Sequence, residues 1–188
     1  AFTWGVLDCL LSAGVCPAGM SGTSAGALNA AALAAGWASG GEKGARASLR
    51  ALWEGIGQIN APLPPPWRSD WSFQGQTLKA VTQMVSPCQF NPVGFNPLRR
   101  LLGDCLDWEA LRAGDHWPLF IAATEVATGR LRLFQRHELS VDALLASTCI
   151  PTLFQAVEID GRFYWDGVFA ANPALLPLIE TAPSSDLM

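Results

Sequence analysis

Histidine is nearly missing from this chain, with His116 and His137 the only two in 188 residues. A serine hydrolase triad that needs a histidine base therefore has little to draw on. Charge is scarce too: 15% of residues are charged, 12 basic against 16 acidic, and a net charge of −4 provides no broad basic surface for nucleic acid. There is no CxxC pair. Cys9, Cys16, Cys88, Cys105 and Cys149 are odd in number and scattered, which argues against a disulfide framework or zinc site and predicts reduced thiols, mostly in the core. No apolar run reaches the ~20 residues that cross a bilayer before Gly, Pro, Ser or a charge interrupts it, so no transmembrane segment is expected. Internal repeats and low-complexity tracts are absent as well.

What the chain has is apolar residues, at 50%, enough for one sizeable core and hence a single domain over residues 1–188. Val6, Leu7, Leu10 and Leu11 lie at helical spacing and predict a helix from Thr3 to Ala13, ended by Gly14. Val15 to Met20 reads as a short buried strand, and the alanines from Ala25 to Ala38 as a helix closed by Gly40-Gly41. A further helix is expected from Glu42 to Ile56. Pro62, Pro64, Pro65 and Pro66 then exclude regular helix around Trp67 and Trp71. Gln74 to Val85 reads as a short helix, Ser86 to Pro97 as a loop, and Pro97 to Leu111 as one or two short helices, so the middle third resembles an inserted cap.

Beyond it, Leu119–Thr124 and Arg130–Phe134 are strand-like and joined through Ala127-Thr128-Gly129. Val141–Ser147 is a short helix, and Ala156–Ile159 with Arg162–Trp165 forms a second hairpin around Asp160-Gly161. Asn172-Pro173 reads as a helix start, with asparagine as cap.

The sharpest local signal is Gly22-Thr23-Ser24-Ala25-Gly26, a G-x-S-x-G pattern between the expected strand and the alanine helix. On a strand-turn-helix elbow such a serine is exposed on a strained turn, the glycines allow close backbone approach, and the helix N-terminus favours developing negative charge. A blander alternative is that Ser21 or Thr23 caps the helix and Ser24 only occupies its first turn. An activated serine needs a base. His116 and His137 both read as loop or surface residues, leaving Asp166, in Tyr164-Trp165-Asp166-Gly167, at the exit of an apolar strand. An Asp-Gly in that position is also a common turn, as Asp160-Gly161 is expected to be.

Taken together, Phe2-Thr3-Trp4-Gly5-Val6-Leu7, the elbow with Ala27-Leu28-Asn29-Ala30 behind it, Ala146-Ser147-Thr148-Cys149-Ile150-Pro151-Thr152-Leu153-Phe154 and Tyr164-Trp165-Asp166-Gly167 resemble, in order, the patatin-like phospholipases. The resemblance spans nearly the whole chain. It implies a three-layer α/β/α fold with a central, mostly parallel sheet, and a Ser-Asp dyad: Ser24 as nucleophile and Asp166 as general base. It further implies hydrolysis of a lipid acyl ester through an acyl-serine intermediate, with no metal and no cofactor. An ordinary aspartate, at a pKa of about 3.9, is a weak base toward an alcohol, so water exclusion and oxyanion stabilisation must carry much of the rate.

Two departures from the family pattern stand out. A Gly-rich oxyanion loop is expected just ahead of Phe2, and the chain starts at Ala1, so a fragment lacking that loop and a C-terminal part is expected. Gly22, Ala25 and Gly26 remain as elbow residues, with the Ala25 N–H as one oxyanion donor; losing a single donor typically costs ~10²–10³ in turnover. The family's Asp-Gly-Gly or Asp-Gly-Ala stands here as Asp166-Gly167-Val168. Lipid or acyl-ester substrate is the expected partner, with peripheral membrane contact through Trp67 and Trp71, or a phosphate headgroup at Arg99 and Arg100, set against ordinary packing and a solvated helix face. The expected location is cytoplasmic or peripheral at a membrane, with secretion left open. Two other readings remain: a catalytically impaired binding fragment of the same fold, and a Ser-His-Asp α/β-hydrolase whose histidine lies outside this chain.

Overall fold

The computed structural model describes residues 2–60, 91, 94–171 and 174–181. In chain order they form helix α1 (Phe2–Ser12), strand β1 (Met20–Thr23), helix α2 (Ala25–Asn60), helices α3 (Pro97–Cys105) and α4 (Trp108–Ala113), strands β2 (Leu119–Glu125) and β3 (Leu131–Gln135), helix α5 (Val141–Ser147), strands β4 (Val157–Ile159) and β5 (Arg162–Asp166), and helix α6 (Leu176–Thr181). Single 3-10 turns follow β3 at Arg136–Glu138 and β5 at Gly167–Phe169. The expected proline-tryptophan loop, the helix over 74–85 and the cap at Asn172 fall outside the described residues.

Local chemistry accounts for most of these boundaries. Asn96 caps α3 by accepting the Leu98 N–H at 3.0 Å, with Pro97 in the first helical position, where its missing N–H costs nothing. Asp107 caps α4 and Ser140 caps α5 in the same way, accepting the Ala110 and Ala143 N–H groups at 2.9 and 3.2 Å. Helix α2 breaks at Gly40-Gly41, where Gly41 sits at φ 58°, ψ −146°, outside the helical region, giving the two arms that the sequence predicts. The arms cross closely: a Cβ at Gly36 would lie 2.3 Å from the Gly44 carbonyl oxygen. From the second arm of α2, the Arg46 guanidinium clasps Asp8 at 2.8 Å and ties α1 to that arm.

One expected strand shifts. Instead of Val15–Met20, β1 occupies Met20–Thr23, so the residues expected in the turn are themselves in the ladder and the turn narrows to Ser24. Pro17 lacks the N–H a ladder needs, whereas Gly22 leaves room for the start of α2, whose Ala27 Cα would lie 2.6 Å from a Cβ there.

The sheet is organised around β2. One edge of β2 pairs antiparallel with β3, from Phe120 opposite Gln135 to Thr124 opposite Leu131. The other edge is shared end to end: β1 runs parallel along its first half, Thr23 opposite Ala122, and β5 runs antiparallel along its second half, Asp166 opposite Ala123. Beyond, β4 pairs antiparallel with β5. The described pairings thus comprise one parallel and three antiparallel, so the parallel character expected for the whole sheet resides here in the elbow strand. Register partners share a face, and the core takes its sheet residues from one face only: Leu119, Ile121, Ala123, Phe134 and Tyr164, packed beneath the alanines of α2 and the buried run Ala143–Ser147 of α5. Phe134 and Tyr164 meet edge-on there at 5.6 Å. The chain is of the α/β class, consistent with a three-layer α/β/α fold, of which α2 and α5 supply the layer on this face.

Candidate active site

The C-terminal ends of β1 and β5 point at each other along the shared edge of β2. Thr23 lies opposite Ala122 and Asp166 opposite Ala123, neighbouring residues, so the turn at Ser24 and the end of β5 converge on one spot. Ser24 takes φ 56°, the left-handed region that only glycine enters freely, and it is half-buried between the strand and the first turn of α2. Its hydroxyl has no hydrogen-bond partner among the described residues. Gly22 makes the turn feasible: a Cβ there would fall 2.6 Å from the Ala27 Cα. Gly26 is different, because a Cβ at that position would meet nothing within 4 Å, so the second glycine of the pattern serves no close approach among the described residues.

The first turn of α2 is pinned from behind. Asn29, 3% exposed, donates its side-chain amide to the Ala25 carbonyl at 2.9 Å and accepts the Trp53 indole N–H from the second arm at 2.8 Å. Ala25 itself is exposed, and its N–H, in the opening turn of the helix, has no acceptor within the helix.

Asp166 is 2% exposed. Its N–H donates to the Cys149 carbonyl at 2.9 Å, its carbonyl accepts the Thr124 hydroxyl at 2.8 Å, and its Oδ1 accepts the Val168 N–H at 3.0 Å. Oδ2 accepts no donor among the described residues and no hydrogen bond joins it to Ser24, an arrangement common in unliganded sites whose bonds tighten on substrate. Gly167 is required by space, since a Cβ would lie 2.5 Å from the Ala122 carbonyl oxygen. Val168 follows, 48% exposed and with its N–H on Asp166, which explains how a branched residue fits after the Asp-Gly pair.

Two contacts here carry no local sequence signal. The Ser24 N–H donates to the hydroxyl of Ser147, a fully buried residue 123 positions away, at 3.1 Å. Cys149, beside it, donates its thiol to the Gln155 carbonyl at 3.1 Å. Burial first, and the Asp166 charge second, push that thiol up to about 11. Cys149 is thus the core thiol expected, while Cys9 and Cys16 are free but exposed and Cys105 is half-buried; Cys88 lies outside the described residues.

The remaining candidates fall elsewhere. His116 precedes β2 and His137 follows β3, both exposed and both at the end of β2 opposite the Ser24 turn, roughly 10 Å or more away along the strand. Arg99 pairs with Asp142 and Arg100 with Asp104, the solvated arrangement rather than a free phosphate site. Trp67 and Trp71 lie outside the described residues. No helix among the described residues is long and apolar enough to cross a membrane.

The family model for patatin-like phospholipases matches residues 1–179. This chain belongs to that family. The patatin-like phospholipase family acts on lipid acyl esters, so the chain falls among the lipid acyl hydrolases in general. None of the curated proteins compared with it matches.

Proposed function

We propose that the chain cleaves a lipid acyl ester through a Ser24–Asp166 dyad and an acyl-serine intermediate. The observation that carries this reading is the shared edge of β2, on which Thr23, just before the positive-φ turn at Ser24, and the buried Asp166 take adjacent ladder positions. Asp166 Oδ2 takes the Ser24 hydroxyl proton as Oγ attacks the acyl carbon. The oxyanion then forms beside the opening of α2, where the Ala25 N–H and the aligned peptide dipoles favour negative charge. As the tetrahedral intermediate collapses, the proton passes from Asp166 to the departing alcohol, and water later releases the acid by the same route in reverse.

An apolar substrate fits the surroundings. Ile150 and Leu153, which follow Cys149, and Val168 and Phe169, which follow Asp166, are 44%, 36%, 48% and 59% exposed, so exposed hydrocarbon follows both the acid and the residue whose carbonyl holds its N–H. Such a surface suits an acyl chain or peripheral contact with a lipid layer. The test is hydrolysis of p-nitrophenyl acyl esters and labelling by a fluorophosphonate, for the wild type, Ser24→Ala and Asp166→Asn. Ser24→Ala is expected to abolish both, and Asp166→Asn to lower turnover by about 10³-fold or more, on the scale of losing a triad member. Unchanged labelling or turnover in either variant refutes the dyad.

A further inference from the structure

The segment at the end of α5 touches both halves of the candidate site, through groups that the proposed reaction does not use. Ser147 is the last residue of α5, fully buried in an otherwise apolar run, Ala143-Leu144-Leu145-Ala146. A buried hydroxyl in such company requires a partner. Its partner is the Ser24 N–H at 3.1 Å, and no acceptor for the Ser147 hydroxyl proton is present among the described residues. Two residues on, the Cys149 carbonyl accepts the Asp166 N–H at 2.9 Å. One short stretch therefore grips the main chain of the nucleophile turn and that of the acid.

The grip at Ser24 falls where it is needed most. β1 ends at Thr23, so the ladder no longer holds the next peptide group, and φ 56° is a conformation that persists only when its surroundings enforce it. Gly22 makes room for the turn but holds nothing, whereas the Ser147 hydroxyl is an acceptor fixed by a packed helix. Reactive geometry is sensitive at this scale, because a displacement of about 1 Å can cost about 10²-fold in rate.

We propose that Ser147 is a positioning residue for the nucleophile: by accepting the Ser24 N–H, in one segment with the carbonyl that holds Asp166, it fixes the Ser24 turn against the acid. The proposal rests on the Ser24–Asp166 reading and concerns main-chain placement rather than proton transfer.

The test compares Ser147→Ala and Ser147→Cys with Ser140→Ala, which removes the cap at the far end of α5 and leaves the Ser24 contact in place. Ser147→Cys keeps the side-chain shape at a somewhat larger size, leaving no cavity while weakening the acceptor, so it serves if Ser147→Ala folds poorly. Each is assayed well below its melting temperature for p-nitrophenyl ester turnover and for fluorophosphonate inactivation, with Ser24→Ala as the blank. For both Ser147 variants, kcat and the maximal inactivation rate are expected to fall about 10- to 100-fold with KM changed less than about twofold; Ser140→Ala should melt lower at wild-type kcat. Wild-type kcat in folded Ser147→Ala or Ser147→Cys, beside an inactive Ser24→Ala, overturns the positioning role and leaves the dyad intact. Activity remaining in Ser24→Ala overturns both.

Discussion

Replacing Ser24 with glycine should stabilise the protein relative to alanine, the reverse of what happens at an ordinary helix or strand position. Both substitutions remove the hydroxyl and both keep the N–H that Ser147 accepts, so their difference isolates the backbone. In the left-handed region, where Ser24 sits at φ 56°, a Cβ costs roughly 1–2 kcal/mol against the neighbouring carbonyl. Glycine removes that cost and adds about 0.5–1 kcal/mol of extra chain entropy in the unfolded state. The balance favours Ser24→Gly over Ser24→Ala by about 0.5–1 kcal/mol, whereas at a regular helical site glycine would be worse by about the same amount.

For a chain of this size, about 1 kcal/mol moves the melting temperature by roughly 2–4 °C. Thermal melts followed by circular dichroism, with urea midpoints as a check, resolve such a difference. Ser24→Gly is expected to melt about 1–4 °C above Ser24→Ala, with both inactive in ester hydrolysis. If Ser24→Ala melts at or above Ser24→Gly, the turn carries no strain and the elbow argument fails at its first step.

The two glycines of the pattern should separate cleanly: Gly22→Ala, whose Cβ would meet the Ala27 backbone at 2.6 Å, should lose about 1–3 kcal/mol in urea unfolding, while Gly26→Ala, with open space, should be neutral or gain up to about 1 kcal/mol of helix propensity. Gly167→Ala, with its Cβ 2.5 Å from the Ala122 carbonyl oxygen, should cost about 1–3 kcal/mol and lower ester turnover more than tenfold, because the displaced residue adjoins Asp166; wild-type kinetics would refute this. For Cys149 the folded thiol lies near 11, above its ordinary 9.0, so its contribution is complete below about pH 9 and is lost as pH rises toward 11. Unfolding free energies from urea melts across pH 8–11 should fall, by roughly 2–3 kcal/mol more in the wild type than in Cys149→Ala; equal slopes would contradict the burial argument.

Much of the fold was legible because its signals are local. The helix starts at Pro97 and Val141 follow side-chain caps that reach two and three residues ahead, and the second hairpin turns where Asp160 and Gly161 both take positive φ, at 51° and 74°, the conformation that an Asp-Gly pair accepts. The break at Gly40-Gly41 was visible for the same reason. β1 was harder, since Val15–Met20 and Met20–Thr23 are equally small and short; their assignment depends on which stretch meets β2, a contact about a hundred residues away. Ser24 could be found from spacing, and Asp166 as an acid at a strand end. Nothing local distinguishes Ser147 from any serine closing a helix, because what defines it is the N–H that arrives from another element. Gly26, by contrast, satisfies the pattern without the packing reason given for it.

The distance between the Ser24 turn and Asp166 is set by ladder register, and that makes core packing part of the site. Side chains alternate along β5, so a slip of one residue against β2 would move Asp166 by about 3.4 Å and turn it to the opposite face of the sheet. Three contacts oppose such a slip. Tyr164 packs edge-on against Phe134 on the core face, the Thr124 hydroxyl is bonded to the Asp166 carbonyl, and Gly167 sits against Ala122, the residue that also pairs with Thr23. Ala122 therefore indexes both strands at once: it pairs with Thr23, and its carbonyl oxygen lies 2.5 Å from where a Cβ on Gly167 would fall, so a side chain at 167 would push the exit of β5 off this register. A serine and an acid 142 positions apart in sequence are held in place less by each other than by this one strand, through which any change in the sheet's packing reaches the chemistry.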